Sequence, residues 1–347
     1  MSRMGKILIG FIIVIIVAGT ISIIAFNRFR QKYYNRVTYN GNLKIVGTNV
    51  ENQFGEVIQL RGVSSHGIQW NYYQCITDES LEHLRDNWKM NVFRVAMYIG
   101  QDGYIQNKEK MYARMVDIVE KCIKADIYVI VDWHITDSKE MNLYQEEAKE
   151  FFSNISMQYK DVPNLIYEIC NEPNDASWEK EIVPYATEMI ETIRKNSKNA
   201  IVIVGTPNYS RNILSPTNTP LKFSNVLYAY HFYANTHKNA ERQILNYSYE
   251  QGIPIIVSEW GICDYTGDGD INYEESNQWI QFLNERNIGW VNWSYSYKDE
   301  TSAILKKEIE EHLNENIENF LSKSGKYIEK LMKNTDEEVR KKQFISF

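Results

Sequence analysis

Cysteine is scarce in this sequence. Cys75, Cys122, Cys170 and Cys263 are the four among 347 residues, and none forms a C-x-x-C pair. That spacing excludes a zinc ribbon and a dithiol redox motif. Cys122 and Cys170 sit in apolar runs, where small core residues belong, and one disulfide stays open at this point. The six histidines lack H-x-x-x-H spacing, so the helical zinc signature is missing and neither a metal nor a cofactor is expected. Proline is rare as well, at seven residues. No Gly/Ser-rich or Pro-rich stretch divides residues 41–333, which therefore read as one domain without an appended binding module. Basic charge is also short. Six of the 38 Lys and Arg fall in the first forty residues, which hold no acid, so the remainder carries 32 basic and 45 acidic residues, a net −13. A body this acidic excludes nucleic acid as a partner. With 44% apolar and 24% charged residues, collagen-like, low-complexity and wholly disordered chains are excluded too.

One long apolar run is present. Ile7 to Phe26 is twenty residues without a charge, the length that crosses a bilayer as a helix. A cleaved secretory signal has a shorter apolar stretch and a small-residue exit beyond it. Here Ala18-Gly19-Thr20 lies inside the run, so residues 1–40 read as an uncleaved membrane anchor with a basic flank, secretion after cleavage being the alternative. Arg28, Arg30, Lys32 and Arg36 slightly favour a cytoplasmic body by charge count, yet large domains translocate largely regardless of such charges.

The body alternates short apolar runs with longer amphipathic stretches. The runs are Val57–Val63, Val92–Tyr98, Ile127–Trp133, Leu165–Cys170, Ala200–Val204, Val226–Phe232, Ile255–Ser258 and Gly289–Trp293. Helical periodicity falls between them at Asp78–Trp88, Glu109–Ala125, Leu143–Tyr159, Trp178–Lys195 and Glu274–Glu285, with Asp78 read as an N-cap. Eight such repeats predict an α/β fold, the (β/α)8 TIM barrel. Residues 43–56 read as a small N-terminal hairpin on its floor. From 334 to 347 a charged tail is expected.

A barrel of this kind does its chemistry at the C-terminal ends of its strands. The polar residues at the run ends are Arg61, His66, Arg94, His134, Asn171, Glu172, Tyr209, His231, Tyr233, Glu259 and Trp293. Glu172 and Glu259 stand out because they end the fourth and seventh runs, across the mouth from each other. Two carboxyls facing across a sugar-sized gap are what glycoside hydrolysis requires, one as acid and the other as nucleophile or base. Asp268–Asn272 has an EF-hand flavour but carries Tyr273 at the sixth position and Trp279 at the twelfth, so it reads as an acidic turn. His83, His237 and His312 have no motif context and read as surface residues.

Asn171-Glu172-Pro173 and Ser258-Glu259-Trp260-Gly261, on this eight-fold pattern, resemble glycoside hydrolase family 5 of clan A. Leu60 to Trp70, Val131 to His134 and Asn292 to Glu300 are similar to its bacterial endoglucanase subfamily. The resemblance covers residues 40–333. It implies a retaining endo-β-1,4-glucanase that needs no cofactor, with Glu172 as acid/base and Glu259 as nucleophile. It further implies that Arg94 holds Glu259 ionised, that Asn171 binds a 2-hydroxyl, and that His134 contacts sugar hydroxyls. His231 and Tyr233 flank the two glutamates. Trp293 is the stacking floor, and His66, Trp70, Lys298 and Glu300 bind further sugars. Trp178 is a weaker candidate for leaving-side stacking. Unlike secreted members with a cellulose-binding module, this chain shows an anchor, which favours soluble or short β-glucans captured near the cell. The expected partners are the polysaccharide and, through the anchor, the membrane, with the domain outside and monomeric. A mannanase or xyloglucanase shares the same two glutamates, and an inactive glycan-binding protein is the remaining alternative.

Overall fold

The computed structural model of the chain describes residues 3–313 and 315–344. A two-stranded antiparallel hairpin, β1 (Lys44–Val46) and β2 (Asn49–Glu51), precedes the barrel. The barrel strands are β3 (Arg61–Ser65), β4 (Val92–Tyr98), β5 (Tyr128–His134), β6 (Leu165–Glu168), β7 (Val202–Val204), β8 (Val226–Tyr233), β9 (Ile255–Gly261) and β10 (Gly289–Tyr295). All pair in parallel and close in the order β10-β3-β4-β5-β6-β7-β8-β9, so the expected (β/α)8 architecture is found. The strands are apolar almost throughout because helices cover the outside and side chains fill the inside, and such strands have no solvated face. Run edges shift by a few residues. The first strand starts at Arg61 rather than Val57, and the seventh extends to Gly261.

The helices pack by their apolar stripes. Lys108–Lys124 buries Met111, Met115, Ile118, Val119 and Cys122, spaced along one face. Each such side chain contributes about 1.5–3 kcal/mol by leaving water. The helix Asp78–Asp86 is capped by Thr77, not by Asp78. The Thr77 hydroxyl accepts from the Ser80 N–H, and the Ser80 hydroxyl accepts from the Thr77 N–H. Asp78 instead begins the helix, where its charge favours the N-terminal dipole. All four cysteines are buried free thiols.

The barrel floor is closed from both ends of the chain. The hairpin lies there, with the Ile45 N–H donating to Asn225 Oδ1 at 2.8 Å. A helix over Arg3–Tyr33 leaves from the same floor. Its stretch Phe11–Tyr33 is long and apolar enough to cross a membrane, and none of its apolar window is buried. At the barrel end Phe26 and Phe29 pack on Tyr39, with ring centroids 6.4 and 6.1 Å apart, and Arg30 meets Glu56 at 2.9 Å.

Two expectations are corrected here. Residues 334–344 are not a separate tail, because the helix Lys323–Phe344 runs through them and buries Thr335 and Asp336. The last three residues, 345–347, lie outside the described part. Arg61 does not belong to the rim, because it begins β3 and its guanidinium meets Asp336 at 3.1 Å on the floor. Asp336 also accepts from Tyr34, Asn35 and Arg340. Burial pushes the Asp336 carboxyl up to about 6, with Arg340 opposing that shift.

Candidate active site

The opposite end of the barrel gathers the acids. Arg94, in the middle of β4, is fully buried and reaches across the interior. Its Nε donates to Glu168 Oε2 at 2.6 Å, one terminal nitrogen to Glu259 Oε2 at 3.1 Å, and the other to Asn171 Oδ1 at 2.7 Å. The second terminal nitrogen also lies 3.0 Å from Asp132 Oδ2. Burial alone would lower the guanidinium pKa, but three carboxylates raise it, so Arg94 stays charged. Its planar fork serves several acceptors at fixed angles, which a lysine cannot do.

Glu172 lies four residues beyond the end of β6, in the irregular turn that carries Asn171. Its Oε1 is 3.0 Å from His231 Nδ1. Burial raises the Glu172 pKa, with nearby positive charge opposing it. Glu259, on β9, accepts from the Tyr233 hydroxyl at 2.9 Å as well as from Arg94. One oxygen of each glutamate and a ring nitrogen of His231 lie within 4.8 Å of one another. That trio could bridge a divalent ion by distance, but the Arg94 charge 3.1 Å from Glu259 would repel one.

Around the glutamates the predicted residues converge. His134 Nδ1 meets Asp132 Oδ2 at 2.6 Å, and its Nε2 lies 3.3 Å from Asn171 Nδ2. Burial pushes the imidazoles of His134 and His231 down to about 3 and about 4, so both are neutral near neutral pH. Trp293 stacks beside His134 at 5.6 Å between ring centroids, and His66 lies 4.9 Å from Trp293 and 5.1 Å from Trp70. Lys298 pairs with Glu300 at 2.6 Å, and Glu300 is nearly buried, 3.9 Å from His66. On the other side of Glu172 a cavity of about 440 Å³ is lined by Tyr209, Arg211, Tyr233, His237 and Tyr265 among others.

The family model described as Cellulase (glycosyl hydrolase family 5) matches residues 51–299. The chain belongs to glycosyl hydrolase family 5. Among relatives in this family, endoglucanase A of Evansella cellulosilytica is 47% identical over 253 residues, covering 72% of this chain and 51% of that protein. An endoglucanase of Clostridium saccharobutylicum is 42% identical over 270 residues, covering 78% of this chain and 60% of its own. The chain thus spans about half to three fifths of the length of these curated relatives. The catalytic domain of Thermobifida fusca endoglucanase Cel5A, solved as a variant with cellotetraose, is a family 5 neighbour at TM-score 0.81 and 33% identity. That match covers 86% of this chain and 99% of that domain. A Cytophaga hutchinsonii structure matches at TM-score 0.83 and 32% identity, covering 88% and 99%.

Several sequence readings are revised within this family 5 site. Trp178 does not reach the cleft. It is buried, its indole N–H donates to Thr219 O at 2.9 Å, and it packs edge-on against Tyr228. His237 is not a surface residue. Its Nδ1 accepts from the Tyr233 N–H at 2.8 Å, and its Nε2 lies 3.1 Å from Arg211. Asp268 buttresses the rim, accepting from the Thr301 N–H at 3.0 Å and from its hydroxyl. Four site residues were missed: Tyr98, Asp132, Glu168 and Ser258. Tyr98 stacks on His134 at 4.1 Å between centroids, and burial pushes Asp132 up to about 7. An acid inside an otherwise apolar strand was the available signal for Asp132 and Glu168. Ser258 had none. Strand alternation points it away from Glu259, but the β8–β9 register slips between Ala229 and His231, and an extra residue of this kind lets neighbouring side chains face the same way.

Proposed function

We propose that the chain is a retaining endo-β-1,4-glucanase acting on cellulose-type β-glucans. The observation that carries this reading is the approach of Glu172 and Glu259, whose carboxyl oxygens come within 4.8 Å of each other. Retaining enzymes hold their two carboxyls about 5–5.5 Å apart, whereas inverting ones leave room for a water at about 6.5–9.5 Å.

In this mechanism Glu259 attacks the anomeric carbon while Glu172 gives its proton to the departing oxygen. A covalent glycosyl-enzyme results. Glu172, now ionised, takes a proton from water as that water attacks the same carbon and releases Glu259. The raised pKa of Glu172 keeps its proton available for the first step. Arg94 and Tyr233 donate to the two oxygens of Glu259 and hold its carboxyl in place for the attack. Asn171, anchored by Arg94, serves the sugar 2-hydroxyl, and His134 serves neighbouring hydroxyls. Trp293 is the floor on which the sugar before the scissile bond stacks. His66, Trp70, Lys298 and Glu300 bind sugars farther toward the non-reducing end.

The apolar helix is read as a single-pass anchor that holds the barrel outside the cell membrane, where a polymeric glucan is found, or as a signal whose removal secretes the barrel. The domain acts as a monomer in either case.

The test is product analysis. NMR of a cello-oligosaccharide digest should show the β-anomer formed first, with turnover of carboxymethyl cellulose and barley glucan and little of mannan. An α-anomer, or no turnover on any glucan, overturns the reading.

A further inference from the structure

The buried groups Glu168, Ser258 and His231 form a chain that ends on the partly exposed Glu172. Arg94 Nε holds Glu168 Oε2 at 2.6 Å; Glu168 Oε1 is 2.6 Å from Ser258 Oγ; Ser258 Oγ is 3.0 Å from His231 Nε2; His231 Nδ1 is 3.0 Å from Glu172 Oε1. Three hydrogen bonds join four groups, and only three hydrogens are available when His231 is neutral. One is the serine O–H, one the imidazole N–H and one a carboxylic O–H. Every bond can therefore be made in just two ways, with the carboxylic proton at one end of the chain or at the other.

Arg94 breaks the tie. Its charged N–H is an obligate donor to Glu168 and favours the carboxylate there. An ionised Glu168 can only accept, so the Ser258 hydroxyl must donate to it. Ser258 then accepts from His231 Nε2–H. That tautomer leaves Nδ1 with a lone pair facing Glu172, which is satisfied only when Glu172 carries a proton. We propose that Glu168 and Ser258 are positioning residues that, through the tautomer of His231, keep the proton on Glu172. This inference rests on the assignment of Glu172 as the acid. After Glu172 has given up its proton, the same lone pair faces a carboxylate, which makes Glu172 a stronger base for the water step. Burial of His231, which lowers its pKa to about 4, keeps the ring neutral as the chain requires.

The chain can be reversed by one substitution. In Glu168→Gln the amide oxygen suits Arg94, which leaves the NH₂ facing Ser258. Ser258 must then accept and donate to His231 Nε2, and Nδ1–H donates to Glu172. The ionised form of Glu172 is now favoured, and the basic limb of kcat/KM should move down by about one pH unit. Loss of the Glu168 charge would act in the same direction, so Ser258→Ala separates the causes. It keeps every charge but frees the tautomer, and it should also lower the limb. Ser258→Thr, which restores a hydroxyl, should bring it back. From other elements Glu172 faces Arg94, Asp132, His134, Arg211 and Glu259, with Tyr98 and Tyr233 beside them, and all are unchanged in these variants.

The experiment is the pH profile of the full chain on cellotetraose, with ¹⁵N-histidine NMR of the same proteins. The expected spectra show the Nε2–H tautomer for His231 in the wild type and Nδ1–H in Glu168→Gln. A basic limb that stays put in Ser258→Ala overturns the proposal even if Glu168→Gln moves it, as does a wild-type Nδ1–H tautomer. Should Glu168→Gln fail to fold, the serine pair decides alone. Failure of the underlying assignment looks different. Glu172→Ala would then lose cellotetraose and dinitrophenyl cellobioside hydrolysis alike, whereas loss of an acid spares the glycosylation step of the activated substrate.

Discussion

Asp336, on the last helix, meets Arg61, at the start of the first barrel strand, 3.1 Å away on the floor of the barrel. Both side chains are almost wholly buried. Removing one partner of such a pair leaves an uncompensated charge, at a cost of about 3–5 kcal/mol. Asp336→Ala should therefore lower the thermal midpoint by several degrees while leaving kcat/KM on cellotetraose unchanged below the transition. Calorimetry and a rate assay on the same preparation check both halves. An unshifted midpoint would remove the helix from the domain's structural core.

Glu259→Gln should lower kcat on the order of 10⁴-fold, about 5.5 kcal/mol of barrier, because the amide cannot form the glycosyl-enzyme. Denaturation should change much less, since the amide oxygen can still accept from Arg94 while its NH₂ donates to the Tyr233 hydroxyl oxygen. A variant with near-normal turnover would place the nucleophile elsewhere.

The direction of the Glu172 shift predicts the pH profile. Burial raises its pKa, and activity needs the protonated form. Activity should therefore persist above the ordinary carboxylate range and fall only as pH rises through the elevated value. A basic limb at or below pH 4.5 in kcat/KM would contradict this. Replacing the leaving group with dinitrophenol should flatten the limb, because that departure needs no proton.

Trp293→Ala removes the proposed floor beneath the sugar. Ring–sugar contact is comparable to aromatic stacking plus burial, so kcat/KM on cellotetraose should fall roughly 10–100-fold, about 1.4–2.7 kcal/mol. Trp178→Ala should instead destabilise the fold and leave the ratio of products unaltered, since Trp178 bonds Thr219 away from the cleft. Product ratios from a cello-oligosaccharide panel distinguish the two tryptophans.

Much of the architecture was legible because the strands are buried on both faces. A run such as Ile255–Ser258 has no polar phase to confuse with a helix, and Glu172 and Glu259 interrupt such runs where barrel chemistry is done. What was not legible depends on partners distant along the chain. Glu168 reads as one more acid until Arg94, 74 residues earlier, is found against it. The segment after Asn334 reads as a charged tail because nothing nearby reveals that Asp336 is destined for Arg61. His237 is buried by the loop that follows β8, and loops carry no periodicity from which burial can be read. Ser258 needed knowledge of a register slip, which single-chain alternation cannot supply.

The clasp at the floor also sets a direction. The helix Arg3–Tyr33 departs beside Tyr39, Glu56 and Arg340, at the end of the barrel remote from Glu172 and Glu259. Whatever grips that helix therefore grips the molecule by its foot. The end that carries Glu172 and Glu259 points away from that grip, like a cup on a stem.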